Sequence, residues 1–283
     1  MTRTVVLMIT LMLIFMWFGQ LIGGTQGMQT AFLIACAMNF FSYFFSDKLV
    51  LAHYKAKEVT SATEPQLYMI VAKLAQRANL PMPKVYIIPE QVPNAFATGR
   101  NHNHAAVAAT QGLLQLLTPQ EIEGVLAHEM SHIRHYDILI GSVASVFAGA
   151  IAMLGNAARL AGGGSANEND RSRSNPLFIL IGAIVMPLAA SIIQMAISRT
   201  REYKADAGAA HLTEHPEWLM SALQKLDNYA KNYQMTHANA QTAHMFIINP
   251  FSGLSRQFSN LFSTHPSTKD RIAKLAEIQK QLR

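Results

Sequence analysis

Residues 118–134 read Thr118-Pro119-Gln120-Glu121-Ile122-Glu123-Gly124-Val125-Leu126-Ala127-His128-Glu129-Met130-Ser131-His132-Ile133-Arg134. A threonine at the N-cap, a proline at the first helical position and a glutamate three residues after the cap are the sequence form of a capping box. The helix they open is predicted to run to about Asp137. His128 and His132 then stand at i and i+4, on one face, where both imidazoles can reach a single metal ion. With 11 histidines in 283 residues, chance would produce His-Glu-x-x-His only about 0.02 times in such a chain. Two histidines and a glutamate on a solvated helix face is therefore the weaker reading.

Zn²⁺ suits two imidazoles, and a catalytic site keeps three protein ligands and one open position. Glu129, beside the first histidine, is placed to take a proton from water attacking a carbonyl. The third ligand has to come from elsewhere. An extended His-Glu-x-x-His-x-x-Gly-x-x-His pattern fails, because His135 stands at the glycine position and Ile138 at the last histidine position; His135 reads as a polar surface residue. Downstream, Glu202 and Asp206 are again i and i+4. One carboxylate can ligate the metal while the other accepts the free ring N–H of a ligand histidine. Alone, that stretch would read as a charged, solvated face; beside the histidine motif, Glu202 is the expected third ligand and Asp206 the supporting carboxylate. A C-terminal helix opens at Ser263–Ile272, with His265 just ahead of it and Arg271 within it. An imidazole or guanidinium near such a centre can stabilise a developing oxyanion, although spacing alone does not assign that role.

Only 14% of residues are charged, against 50% hydrophobic and a mean hydropathy of +0.15; soluble domains carry roughly 25% charged residues. That balance excludes a disordered acidic chain and points to lipid as part of the solvent. The single cysteine, Cys36, excludes an intrachain disulfide framework. The net charge of +6 and pI of about 9.5 come from scattered Lys and Arg. They lack the basic run interleaved with aromatics of a nucleic-acid binder and read instead as flanks of membrane segments, so no nucleic-acid partner is expected.

From Arg3 to Asp47 no charged residue intervenes. Val5–Ile22 and Thr30–Phe45 are apolar runs joined by Gly23-Gly24-Thr25-Gln26-Gly27, which predicts two spans and a tight turn; without a small-x-small cleavage site, an uncleaved anchor is expected rather than a signal peptide. Two further uncharged runs, Ile138–Ala158 and Leu177–Ile197, bring the predicted transmembrane helices to four, the last kinked at Pro187. Arg3, Lys48, Lys55, Lys57, Arg134, Arg199, Arg201 and Lys204 fall on one side, Arg159, Arg171 and Arg173 on the other. The positive-inside rule then puts the N-terminus and both polar blocks in the cytoplasm. Within the first block, residues 64–79 have helical periodicity, and Val85–Ile88, Asn94–Thr98 and Ala105–Thr110 read as short strands, a compact α+β unit. The expected organisation is an N-terminal transmembrane hairpin over 1–45, a cytoplasmic part over 46–137, a second transmembrane or hairpin pair over 138–197 with a flexible loop at 159–176, and a second cytoplasmic part over 198–283.

Pro93-Asn94-Ala95-Phe96-Ala97-Thr98-Gly99, Val125 to His132, Ser198-Arg199-x-x-Glu202-x-x-x-Asp206, and Thr264-His265-Pro266-Ser267 with Arg271-Ile272 fall in the order found in the HtpX family of membrane zinc metalloproteases. The chain resembles that family, a relative of the CAAX prenyl endoproteases, over essentially its whole length. The resemblance implies an α-helical membrane protein with an α+β zincin-like (gluzincin) protease domain. It implies an endopeptidase facing the cytoplasm from a bacterial inner membrane, one that cleaves misfolded or damaged membrane proteins and overlaps with the ATP-dependent protease FtsH. It carries zinc binding to His128, His132 and Glu202, the general base to Glu129, transition-state stabilisation to His265 and Arg271, and an extended substrate to Asn94, Ala95, Phe96, Ala97 and Thr98. An intramembrane protease would bury the motif inside an apolar run. A scaffold with a structural metal would use four protein ligands. Both remain rivals.

Overall fold

The computed structural model describes residues 2–144, 146–147, 199–232 and 266–282. The expected loop 159–176, the fourth apolar run, most of the third, and His265 lie outside them.

Helix α1 (Thr2–His53) is broken where Gly23 (φ −136°, ψ 21°) and Gly24 (φ 58°, ψ −145°) leave helical geometry. Gly24 takes a left-handed φ with an extended ψ, a combination open essentially to glycine alone. The two arms fold back on each other. A Cβ on Gly19 would stand 2.4 Å from the Gly27 carbonyl oxygen, and one on Gly27 would stand 2.2 Å from that of Gly19. Farther along, the Asn39 side-chain amide donates to the Met8 carbonyl at 3.3 Å. The glycine-rich interruption is thus the turn of a hairpin whose arms approach through hydrogen-sized side chains, as close-packed membrane helices do. The second arm, Gly23–His53, is long and apolar enough to cross a membrane, whereas Thr4–Trp17 in the first is apolar but shorter. Among the described residues one helix meets that length, against the four expected. Leu33 (68% exposed), Phe40 and Phe41 stand open on this hairpin, a surface suited to lipid. The third run begins as helix over 137–144 and packs Leu139, Val143 and Phe147 against Leu7 and Leu11 of the first arm.

Past α1, β1 (Lys57–Val59), β2 (Lys84–Ile88), β3 (Ala95–Gly99) and β4 (Ala105–Thr110) form one sheet in the order β1-β2-β4-β3. β1/β2 and β3/β4 are antiparallel and β2/β4 is parallel. β4 is buried along its whole length, and its alanines and valine alternate between two cores with the period of a strand. Ala105, Val107 and Ala109 face the helices. Ala106 and Ala108 join Phe96, Ile88, Val50 and Leu51 beneath the end of α1. The sheet is therefore clamped between the helical layer and the foot of the apolar hairpin. β1, absent from the sequence reading, is three residues long, too short for its pattern to stand out.

Helix α2 (Pro65–Ala78) turns Leu67, Val71 and Leu74 inward and ends on Asn79 in the left-handed conformation. After α3 (Gln111–Leu116), helix α4 (Pro119–Arg134) carries the histidine motif. It stops three residues before the expected Asp137, because His135 caps it and Tyr136 adopts φ 59° and turns the chain. Helices α5 (Arg199–Thr213), α6 (Pro216–Asn232) and α7 (Thr268–Leu282) complete the helical layer. Val125, Leu126, Met130, Ala209, Leu223 and Leu275 meet at its centre.

The capping box at the start of α4 is formed in both directions: Glu121 N–H donates to Thr118 Oγ1 at 3.3 Å, and Thr118 N–H to Glu121 Oε2 at 2.8 Å. Ser221 (2.6 Å) and Lys225 (2.8 Å) of α6 also donate to the Glu121 carboxylate. Burial pushes the Glu121 pKa up, but these donors outweigh it and hold the pKa below the usual glutamate value. A depressed folded pKa contributes stability that is present above the unfolded value of about 4.3 and lost as pH falls through the folded one. Glu121→Gln should therefore lower stability at neutral pH by about 1–3 kcal/mol. Thermal melting should show the gap from wild type closing as the medium is acidified below the glutamate range, and a gap independent of pH would contradict the assignment.

Candidate metal centre

The capping box fixes where α4 starts, and the helical repeat then sets the azimuth of each later side chain. His128, Glu129 and Met130 are buried, while His132 is half-buried. His128 Nε2 and His132 Nε2 point at each other across 3.2 Å. Glu202, in the first turn of α5, brings Oε2 to 3.7 Å from His128 Nε2 and Oε1 to 3.6 Å from His132 Nε2. One donor atom from each residue lies within 4.8 Å of the others. Tetrahedral donors about 2.0–2.1 Å from a common centre stand about 3.3 Å apart. Two imidazole nitrogens and a carboxylate at these separations fit a single zinc ion without rearranging either helix.

Behind each imidazole stands a carboxylate. His128 Nδ1–H donates to Asp206 Oδ1 at 2.9 Å and His132 Nδ1–H to Asp137 Oδ2 at 3.2 Å. Each contact fixes the tautomer with the proton on Nδ1 and the lone pair on Nε2, aimed at the shared centre. Burial would lower the His132 pKa, but the bond to Asp137 and the negative charges of Glu202 and Glu129 raise it to about 9. A proton on that ring competes with a cation for Nε2.

Asp206 is 2% exposed. Arg271, from α7, grips it in a two-pronged contact, Nη2 to Oδ1 at 2.6 Å and Nε to Oδ2 at 2.8 Å. Burial alone would raise the Asp206 pKa, yet the Arg271 charge and the bond from His128 bring it down to about 2. Burial likewise disfavours the Arg271 cation, and the Asp206 charge outweighs it, so the pKa of the guanidinium is raised. Arg271 Nη2 also lies 3.4 Å from His128 Nδ1. The structure thus places Arg271, expected from the resemblance beside a transition state, against Asp206 on the far side of the His128 ring.

Glu129 faces the sheet: the backbone N–H of Ala97 donates to Glu129 Oε2 at 2.9 Å. Among the described residues β3 pairs with β4 alone, and its other edge, on which this N–H lies, faces the motif helix. Asn94 precedes the strand, and its N–H donates to Thr110 Oγ1. Ala95 and Ala97 sit on the helical face, Phe96 on the α1 face against Tyr54, and Thr98 Oγ1 hydrogen-bonds Ser142 Oγ at 2.7 Å. His135 spends Nδ1 on the Ser131 carbonyl of its own helix at 2.8 Å and stays apart from the donor trio. Sequence reasoning missed Asp137 as the partner of His132. Five residues on, it falls off the motif face of a continuing helix, and only the left-handed Tyr136 brings it back.

The sequence model of Peptidase family M48 matches residues 61–279. A "Protease HtpX homolog" of Campylobacter hominis is 66% identical over 280 residues, covering 99% of each chain. Proteins of the same description from Sulfurovum sp. and Burkholderia mallei are 57% and 50% identical, over 98% of this chain. Among solved structures, Ste24p of S. mikatae shares the fold with a TM-score of 0.54 and 19% identity, over 93% of this chain and 62% of that one. A match across most of the sequence, joined to two histidines and a glutamate converging behind an apolar hairpin, leaves one assignment: the chain belongs to peptidase family M48 and is a membrane metalloprotease.

Proposed function

We propose that the protein is a zinc endopeptidase with His128, His132 and Glu202 as ligands and Glu129 as general base; the observation that carries this is the 3.2–3.7 Å convergence of their donor atoms. Zinc held there supplies Lewis acidity toward the scissile carbonyl and toward water. The chain's own groups do the rest. The edge of β3 that faces the motif helix takes an extended peptide, Asn94 to Thr98 lying along it, with the Ala97 N–H kept by Glu129 and the Gly99 N–H by Ser142. The Glu129 carboxylate, steadied by the Ala97 N–H, accepts the proton of the attacking water and returns it to the leaving amine. Asp206 and Asp137 hold the two imidazoles with their lone pairs facing the centre. Arg271 is a positioning residue that keeps Asp206 ionised, and His265 takes the role of oxyanion donor on the strength of the family resemblance. Water attacks directly, without an acyl-enzyme.

The wider setting belongs to the same reading. The chain crosses a bacterial inner membrane four times, its protease part is split by residues 138–197, and its cleft faces the cytoplasm. Its substrates are misfolded or damaged membrane proteins, a task shared with the FtsH system. The Lys and Arg distribution and the HtpX resemblance support this.

Three experiments test the roles. Zinc-loaded protein in detergent should cut casein, and a chelator should stop it. Glu129→Gln should lose about 10²–10⁴-fold in rate while keeping its zinc; a variant that cuts at the wild-type rate sinks the assignment of the base. Asp206→Asn should weaken zinc about 10–100-fold in a chelator competition. Arg271→Met, which leaves a buried carboxylate without its cation, should cost about 3–5 kcal/mol. The double variant should recover part of that loss; strictly additive losses in melting temperature would show that Arg271 does not act through Asp206.

A further inference from the structure

Arg3, Asp47 and Asp137 are the charges met on leaving the first arm of α1, the second arm and the third apolar run. Asn39 meets Met8 across the hairpin, which sets Thr4 opposite Tyr43, and Leu139 shares with them an apolar cavity that runs on to Met12. The three helix ends therefore lie on one side of the apolar layer, about a helical turn apart in level, where their charges mark its boundary. The candidate metal centre sits directly on that boundary. Asp137 accepts from His132 at 3.2 Å. Thr98, in β3, is bonded to Ser142, in the third apolar run, at 2.7 Å, and Gly99 N–H donates to the same hydroxyl at 3.4 Å. Arg100, immediately after β3, donates to the Phe44 carbonyl at 3.3 Å and lies over the Phe44 ring at 5.3 Å. So β3 starts away from the membrane at Ala95 and ends on it at Gly99. Ala97, which contacts Glu129, is two residues from the membrane end, about 7 Å of extended strand.

Resting on the endopeptidase reading, we propose that the protein selects peptide bonds just outside the bilayer, within about five residues of the point where a substrate's transmembrane segment ends, at roughly 3.3 Å per extended residue. The occupant of the β3 edge is the extended juxtamembrane segment of a membrane protein. A chain leaving the bilayer beside Gly99 meets Glu129 after two or three residues. Bonds inside the bilayer lie on the wrong side of Asp137. Bonds far out lose the advantage of the tether, because effective concentration falls with about the −3/2 power of its length. Hydrolysis is otherwise ordinary: water adds across the C–N bond, leaving a carboxylate on the part N-terminal to the cut and an amine on the other.

The test places the full-length, zinc-loaded protein in phosphatidylethanolamine–phosphatidylglycerol vesicles with a single-span protein. Its unstructured tail consists of identical six-residue repeats, so that every repeat offers the same bonds. Mass spectrometry of the products should find cuts concentrated in the first repeat, about 20-fold over a repeat some thirty residues out. The same tail as a free peptide should be cut at all repeats alike. In the Glu129→Gln protein, a photoreactive side chain in place of Asn103, exposed in the turn His102–His104 that follows the membrane end of β3, should crosslink to the first repeat. Cuts spread evenly along the tethered tail, cuts within the span, or crosslinks only to distal repeats overturn the proposal and leave proteolysis standing. No cleavage of either the tethered or the free tail overturns the endopeptidase reading as well.

Discussion

One donor atom each from His128, His132 and Glu202, on two helices, lie within 4.8 Å of one another, and this closeness limits how far apart α4 and α5 can be. The limit is met by leaving out side chains. A Cβ at Gly208 of α5 would stand 2.1 Å from Ser131 Oγ and 2.8 Å from Ser131 Cβ, on the turn of α4 between the two histidines. Gly124 does the same one helix over: a Cβ there would lie 2.8 Å from the Leu219 backbone nitrogen of α6. Interaxial distances follow from the residues at the crossing. Here the smallest residue sits at each crossing, and Glu202 reaches the imidazoles from a helix that carries no bend toward them.

The parts of the site legible in the sequence were those set by local periodicity. The Thr118–Glu121 cap, the His128/His132 spacing and the Glu202/Asp206 pair each need only the helical repeat to place them on one face, and each lies on a regular helix. What stayed hidden depends on turns and on distant packing. Asp137 reaches His132 only because Tyr136 turns the chain at positive φ. The Ala97 N–H that meets Glu129 is a backbone group, which no residue type advertises. Arg271 could be seen as a cation near the centre, but its burial against Asp206 depends on how α7 packs on α5, where Lys274 lies over the Tyr203 ring. The fold was readable to the same degree. The glycine turn of the hairpin and the three longer strands carry composition signals, whereas β1 is held by its pairing with β2.

The sheet joins two environments. One face of β4 contributes to the helical core and the other to a small core under the last turns of α1, with Tyr54 packed on Phe96. The strand that presents its edge to Glu129 therefore has its neighbour's far face seated on the membrane hairpin. Tilting α1 would move Phe96, and with it the Ala97 N–H, relative to the motif helix.

The Asp206–Arg271 contact has a consequence in time. The donor residues come from α4 and α5, but the guanidinium that offsets the buried Asp206 charge arrives with α7, the last helix in chain order. In chain order, therefore, both histidines and Glu202 precede the guanidinium, and burying the Asp206 carboxylate before α7 docks leaves a charge without its cation.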